Sequence, residues 1–194
     1  GIEPMWFALI LSARVMGPTF GFLLGAMSML LSALLTGGIG PWLGYQVFAA
    51  ALIGFCVGVI PEKIRRRFEI ILLALYGAIA SEFFGIMMDL QFWPWTLGPK
   101  TQLSFIPGGA FAENLHRFFI YHVTTSMAWD IPRAVFTVLL ISFTGQSVLS
   151  ALRRTYTRAA FVTPVVFSER VKQQKATSQL HTVSHGHAHR SPLR

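Results

Sequence analysis

The sequence predicts an all-α membrane protein, a bundle of helices that crosses the bilayer several times. Hydrophobic residues make up 53% of the 194 residues and charged residues only 12%, and the mean hydropathy is +0.55. A soluble domain of this length could not bury so much apolar surface. Long apolar blocks alternate with cationic clusters, which is typical of a polytopic membrane protein.

Four apolar blocks predict membrane-spanning helices, because about 20 apolar residues are needed to cross the hydrocarbon core. They cover about residues 16–35, 46–60, 68–88 and 129–151. The second block is short, although Trp42 and Tyr45 can extend it into the interface.

The positive charges predict the orientation of these helices. Lys63, Arg65, Arg66 and Arg67 follow one block, and a second cluster follows the last block at Arg153, Arg154 and Arg158. By the positive-inside rule both clusters and the C-terminus are cytoplasmic, and residues 37–44 and 90–129 lie outside. The same placement explains the net charge of +8 better than a nucleic-acid surface, because the cations lie at helix ends and in the tail.

The start of the chain is apolar but too short to cross a membrane. Residues 5–13 lead from outside to Arg14, so we interpret them as the inner half of a helix. This predicts an N-terminally truncated fragment of a six-helix fold, with the first helix and part of the second missing. A native short re-entrant start is the alternative.

Three of the predicted helices carry small residues at every fourth position, and this spacing gives each a flat face for close packing in lipid. These residues are Gly17, Gly21 and Gly25; Ala50, Gly54 and Gly58; and Gly77, Ser81 and Gly85. The first helix has a second such face at Ser28, Ser32 and Thr36. Whether one of its two faces packs against another protein stays open.

The outer side combines glycine-rich aromatic loops with ionisable residues at membrane depth. Residues 110–127 predict a helix too polar to span, which lies along the surface or lines an aqueous cavity. Glu82 and Asp89 share one face of the third predicted span, and Asp130 and Arg133 are spaced to pair. As an alternative to pairing with Asp130, Arg133 could pair with Glu82 or Asp89 on the third predicted span. Carboxylates at this depth need a partner, a proton or water.

An outward-facing pocket for a small molecule accounts for this combination, because ligand sites have apolar walls and a few placed polar groups. The candidate substrate-binding residues are Trp42, Tyr45, Gln46, Glu82, Asp89, Trp93, Trp95, Asn114, His122, Trp129, Asp130 and Arg133. The chain contains no nucleotide motif, so uphill transport would need ATP hydrolysis by another subunit.

Two segments resemble the membrane-embedded substrate-binding S components of energy-coupling factor (ECF) vitamin transporters. They are the run from Gly17 to Ala26 and the run from Thr36 to Trp42, which Gln46 follows closely. The pairs Asn114-Leu115, Thr125-Ser126, Trp129-Asp130 and Arg133-Ala134 are similar to an actinobacterial branch of the family. The resemblance covers about residues 5–158.

The resemblance implies a six-helix S-component fold that captures a vitamin outside and topples in the membrane. It also implies a transmembrane coupling subunit and two ATPase subunits as partners. Docking on the coupling subunit would use Gly17, Gly21 and Gly25. Cobalamin is the candidate vitamin from this branch.

The remaining alternatives are an intramembrane enzyme and a passive channel or assembly factor. An enzyme would use Glu113, His116, His122 and Asp130. The six-residue spacing of the histidines does not match a helical zinc pair, and no nucleophile stands beside a recognisable base. We therefore predict no enzymatic activity, no cofactor and no metal site.

The chain divides into a transmembrane domain over residues 1–160 and a polar tail over residues 161–194. The tail lacks apolar periodicity, which predicts disorder in the cytoplasm. It ends in a histidine-rich segment with His181, His185, His187 and His189.

Overall fold

The computed structural model describes residues 3–61, 63–96 and 101–162, with the backbone alone described at 94–96 and 160–162. These ranges contain six α-helices and no strand. The helices are α1 (Pro4–Met16), α2 (Pro18–Thr36), α3 (Leu43–Val59), α4 (Arg66–Thr96), α5 (Phe111–Thr125) and α6 (Met127–Val162). The predicted all-helical membrane bundle is thereby confirmed.

Three of the helices are long and apolar enough to cross a bilayer: α2, α4 over Arg66–Trp93, and α6 over Met127–Ala159. The predicted second span corresponds to α3, which has 17 residues and is a shorter apolar helix. At about 1.5 Å per residue it covers less than the ~30 Å hydrocarbon core.

Two helix boundaries differ from the sequence-based prediction. α4 continues to Thr96, so Trp93 lies in the last turns of a helix and not in a loop. α6 begins at Met127, two residues before the predicted start of the fourth span, and contains Pro132 in its interior. Proline has no N–H, so the carbonyl of Ala128 lacks its usual helical donor at this point.

The small-residue faces hold the bundle together. A Cβ atom added to Gly21 would collide with the backbone of Gly54, and one added to Gly25 would collide with the backbone of Ala50. α2 and α3 therefore pack backbone against backbone. On α4, Gly77 packs against Thr137 of α6. The prediction that the glycine faces of α2, α3 and α4 serve packing is confirmed.

Helix α1 lies at the centre of the bundle although it is the shortest helix. Trp6 and Leu9 belong to one apolar core cluster with Phe84 of α4, and Ile10 and Leu11 belong to a second with Ile141 of α6. All four α1 side chains are fully buried.

The chain forms two compact units, Gly1–Leu152 and Arg153–Arg194. The first contains the bundle, and the second begins with the last turns of α6, where the Thr157 hydroxyl donates to the carbonyl of Arg153. The predicted domain boundary at residue 160 stays a prediction. The predicted disorder and the histidine-rich end fall on residues 163–194, outside the described residues.

Candidate functional site

One end of the bundle contains a cavity of about 450 Å³. It lies where α1 begins, α2 ends and α3 begins. Apolar side chains from α1, α2 and α4, together with Trp42, supply most of the wall, and a few polar groups interrupt it. The lining residues are Glu3, Pro4, Met5, Met29, Ser32, Ala33, Thr36, Gly38, Trp42, Gln46 and Phe84.

Trp42 reaches the cavity because the loop between α2 and α3 folds back on itself. Gly37 ends α2 with a φ of 69°, a left-handed conformation that glycine adopts without strain. The indole Nε1 of Trp42 then donates to the carbonyl of Gly38 at 3.2 Å. The Trp42 ring lies against Gly40, where a Cβ atom would collide with it.

A cluster of ionisable side chains lies where the C-terminal half of α4, the end of α5 and the start of α6 meet. His122 of α5 bridges two carboxylates of α4, with Nε2 2.6 Å from Glu82 and Nδ1 2.6 Å from Asp89. The Ser126 hydroxyl donates to Asp89 at 2.6 Å. His122 and Asp89 are buried, whereas the Glu82 side chain is 40% exposed.

A second pair in the same cluster connects it to the cavity. Arg133 donates to Asp130 at 2.6 Å, as one of the two predicted pairings requires, and to the carbonyl of Ser81 at 3.3 Å. Its Nε lies 3.5 Å from Glu3, a residue of the cavity wall. The guanidinium also lies 5.0 Å from the centre of the Phe84 ring, which favours a cation–π contact.

The electrostatics of the cluster favour a charged His122. Burial by itself lowers the pKa of this imidazole, but its hydrogen bonds to Glu82 and Asp89 outweigh burial and raise the pKa above its usual value. The charged ring then donates to a carboxylate from each nitrogen. This arrangement fastens α5 to α4.

Four residues that were predicted to bind substrate do not line the cavity. Tyr45 is 44% exposed and Trp129 63% exposed, and neither lines the cavity. Trp93 is buried and donates to the carbonyl of Leu103 at 2.7 Å. Asn114 bonds both the N–H and the carbonyl of Ile106 through its amide, at 2.9 and 3.0 Å. The Trp95 side chain lies outside the described residues.

The sequence analysis missed several residues of the cavity wall, among them Glu3, Met5, Met29 and Phe84. Nothing in their local pattern separates them from ordinary core residues. Glu3 had one usable signal, since it is a carboxylate directly before an apolar run. Its partners, Trp6 Nε1 at 2.6 Å and Arg133, emerge only in three dimensions.

The face predicted to dock on a coupling subunit is largely covered within this chain. Gly21 and Gly25 are buried against α3. Gly17 forms the junction between α1 and α2 with a φ of 91°. Backbone contact with α3 leaves Gly21 and Gly25 no surface for a partner, so this assignment needs correction.

Comparison with known proteins gives a family for the first part of the chain. Residues 2–88 match the model of the family described as the S component of the ECF-type riboflavin transporter. Over these residues the chain is similar to ECF S components. No curated protein and no solved structure matches the chain.

S components of this family are substrate-binding subunits of vitamin transporters rather than enzymes. Members of this family work with transmembrane and ATPase partner subunits and take a small-molecule vitamin as substrate. Three helices among the described residues are long and apolar enough to cross a bilayer, which makes this chain a multi-pass membrane protein.

Proposed function

We propose that this chain is an S component that binds a vitamin of the size of riboflavin in the cavity between α1, α2 and α3. One observation carries the proposal. Every residue that lines the cavity, from Glu3 to Phe84, falls inside the range that matches the riboflavin S-component family. The part of the chain that resembles this family is therefore the part that forms the wall.

The chemistry of the wall suits a flat, partly apolar ring system. Trp42 and Phe84 offer aromatic surfaces, and Met29 offers a polarisable thioether. Gln46 and Ser32 can bond the polar edge of a ring or a hydroxylated side chain. Apolar walls with a few polar groups are typical of vitamin-sized sites.

The cavity volume favours riboflavin over cobalamin. About 450 Å³ lies toward the lower end of the range of about 300 to 1,000 Å³ that is usual for small-molecule pockets. Cobalamin has several times as many atoms as riboflavin and would exceed this space. The cobalamin expectation from the sequence therefore has no support in the cavity.

Trp42 provides the sharpest test of the proposed pocket. We expect Trp42→Ala to weaken riboflavin binding about tenfold or more, equivalent to about 1.4 kcal/mol, because an aromatic stacking surface is removed. Binding is measured on the purified protein as the quenching of riboflavin fluorescence during titration.

Trp129→Ala is the matched control, because this tryptophan is 63% exposed and away from the cavity. It should leave the affinity unchanged. Thermal unfolding of both variants separates a lost contact from a lost fold. Equal affinity in wild type and Trp42→Ala would place the pocket elsewhere, and preference for cobalamin would reject the ligand assignment.

We further propose that the partner subunits supply ATP hydrolysis and that the S component topples in the membrane to release its ligand inward. The family match supports the partners, and the absence of a nucleotide motif from the sequence agrees with an external energy source. With Gly21 and Gly25 covered by α3, docking would use another exposed face of the bundle.

The orientation of the bundle also belongs to the proposal: the cavity faces outward and the cationic clusters face the cytoplasm. Single cysteines in a Cys56→Ser background test it. An impermeant maleimide applied to intact cells should label Ile39→Cys, whose site is exposed between α2 and α3, and should not label Lys63→Cys before cell lysis. The reverse labelling pattern would invert the topology.

A further inference from the structure

We propose that Glu82, His122 and Asp130 bind a divalent transition-metal ion where the C-terminal half of α4, the end of α5 and the start of α6 meet. One ligand atom from each residue lies within 4.8 Å of the other two. An imidazole with two carboxylates is a donor set that such ions accept. The site lies outside the cavity wall and does not depend on the proposed ligand.

His122 is oriented as a metal ligand would be. Its Nδ1 lies 2.6 Å from Asp89, which the Ser126 hydroxyl holds in turn at 2.6 Å. A carboxylate that accepts the Nδ1 proton fixes the ring orientation and leaves Nε2 for the metal. Nε2 points at Glu82, 2.6 Å away. A metal ion would replace the proton between these two atoms.

Asp130 offers an unused oxygen in the same place. The residue is 1% exposed, and among the described residues Oδ2 has no hydrogen-bond partner while Oδ1 accepts from Arg133. A buried carboxylate oxygen without a partner is costly. The carboxylate lies against Gly85 of α4, where any Cβ atom would collide with it. Because Gly85 has no side chain, the Asp130 carboxylate can contact α4 on the face that carries Glu82.

The charge balance of the cluster also points to a cation. The carboxylates of Glu3, Glu82, Asp89 and Asp130 share two cationic partners, Arg133 and the imidazole of His122. Even with His122 protonated, two negative charges remain unbalanced among the described residues. At membrane depth such an excess is unfavourable. A divalent ion that replaces the imidazole proton reduces this excess from two negative charges to one.

The donor set favours Zn²⁺, Co²⁺ or Mn²⁺, since no thiolate is present to select a softer ion. Atoms that ligate one Zn²⁺ at about 2.1 Å lie ~3.4 Å apart in a tetrahedron. Small side-chain rotations from the observed positions reach this spacing. Glu82 is the partly exposed member of the set and provides the route of entry from solvent.

Cobalt titration of the full chain tests the site. The four tail histidines are first replaced by glutamine, at His181, His185, His187 and His189, so that the tail cannot bind the ion. We expect one equivalent of Co²⁺ to bind, with visible absorption bands of a coordinated ion that Zn²⁺ abolishes. Absence of saturable Co²⁺, Zn²⁺ and Mn²⁺ binding in this background would overturn the proposal.

Two conservative variants assign the ligands. Glu82→Gln and Asp130→Asn keep the side-chain shape but remove the anionic ligand, and each should weaken metal binding at least about tenfold. Glu113→Gln is the control, because Glu113 is an exposed carboxylate of α5 that pairs with Arg117. Equal affinity in all three variants would show adventitious binding. Riboflavin titration without metal is a separate measurement, so failure of one proposal leaves the other standing.

Discussion

Replacement of Gly21 or Gly54 by alanine should destabilise the bundle by about 3 kcal/mol or more, because neither position has room for a single methyl group. A Cβ atom on Gly21 would strike the carbonyl of Gly54, and one on Gly54 would strike the carbonyl of Gly21. Both collisions involve backbone, which cannot rotate away. The helices α2 and α3 would have to separate. Thermal unfolding in detergent and the yield of monodisperse protein measure the effect.

Gly44→Ala is the matched control on α3, since nothing lies within 4 Å of a Cβ atom there. Alanine is favoured over glycine in a helix by roughly 0.5 to 1 kcal/mol. This substitution should therefore leave stability unchanged or raise it. If Gly21→Ala and Gly54→Ala behave like Gly44→Ala, the close packing of α2 on α3 is wrong.

The second large effect is expected at the buried ion pair between Arg14 and Glu69. Arg14 Nε lies 2.9 Å from Glu69, with side chains 1% and 3% exposed. Arg14 also donates to the carbonyls of Ile60 and Pro61, at 2.9 and 3.0 Å. Arg14→Met should cost about 3 to 5 kcal/mol, because it leaves a buried carboxylate without its cation. The free energy of unfolding in a mild denaturant series reports this loss.

A double variant separates the ion pair from mere packing. Arg14→Met combined with Glu69→Leu should be more stable than Arg14→Met alone, since both buried charges are then removed. Arg117→Met is the surface comparison, because Arg117 pairs with the exposed Glu113 and such pairs contribute about 1 kcal/mol or less. Equal effects of Arg14→Met and Arg117→Met would contradict a buried role for Arg14.

The long helices were predictable from the sequence. Apolar length locates α2, α4 and α6, because crossing a bilayer requires many apolar residues in succession. The short polar helix α5 was also predicted from its own residues. The end of α4 was not, because aromatic residues such as Trp93 suit a membrane interface, a loop and a helix end equally well.

The candidate site was predictable only in part. Glu82, Asp89, His122, Asp130 and Arg133 were singled out because ionisable groups at membrane depth need partners, and the structure brings all five into one cluster. Their pairing was not predicted beyond Asp130 with Arg133. The spacing of two residues on one helix limits their distance, whereas residues 33 or 40 apart on separate helices have no such limit.

The sequence by itself determined that the chain is a helical membrane protein with small-residue packing faces, because hydropathy and four-residue spacing are local properties. The tertiary structure decided what those faces and charges contact. Gly21 meets Gly54 rather than another protein, and Arg14, which resembled a charge marking the cytoplasmic end of a helix, is buried against Glu69. Such contacts depend on how each helix is rotated and how closely it approaches its neighbour, and no short segment of sequence contains that information.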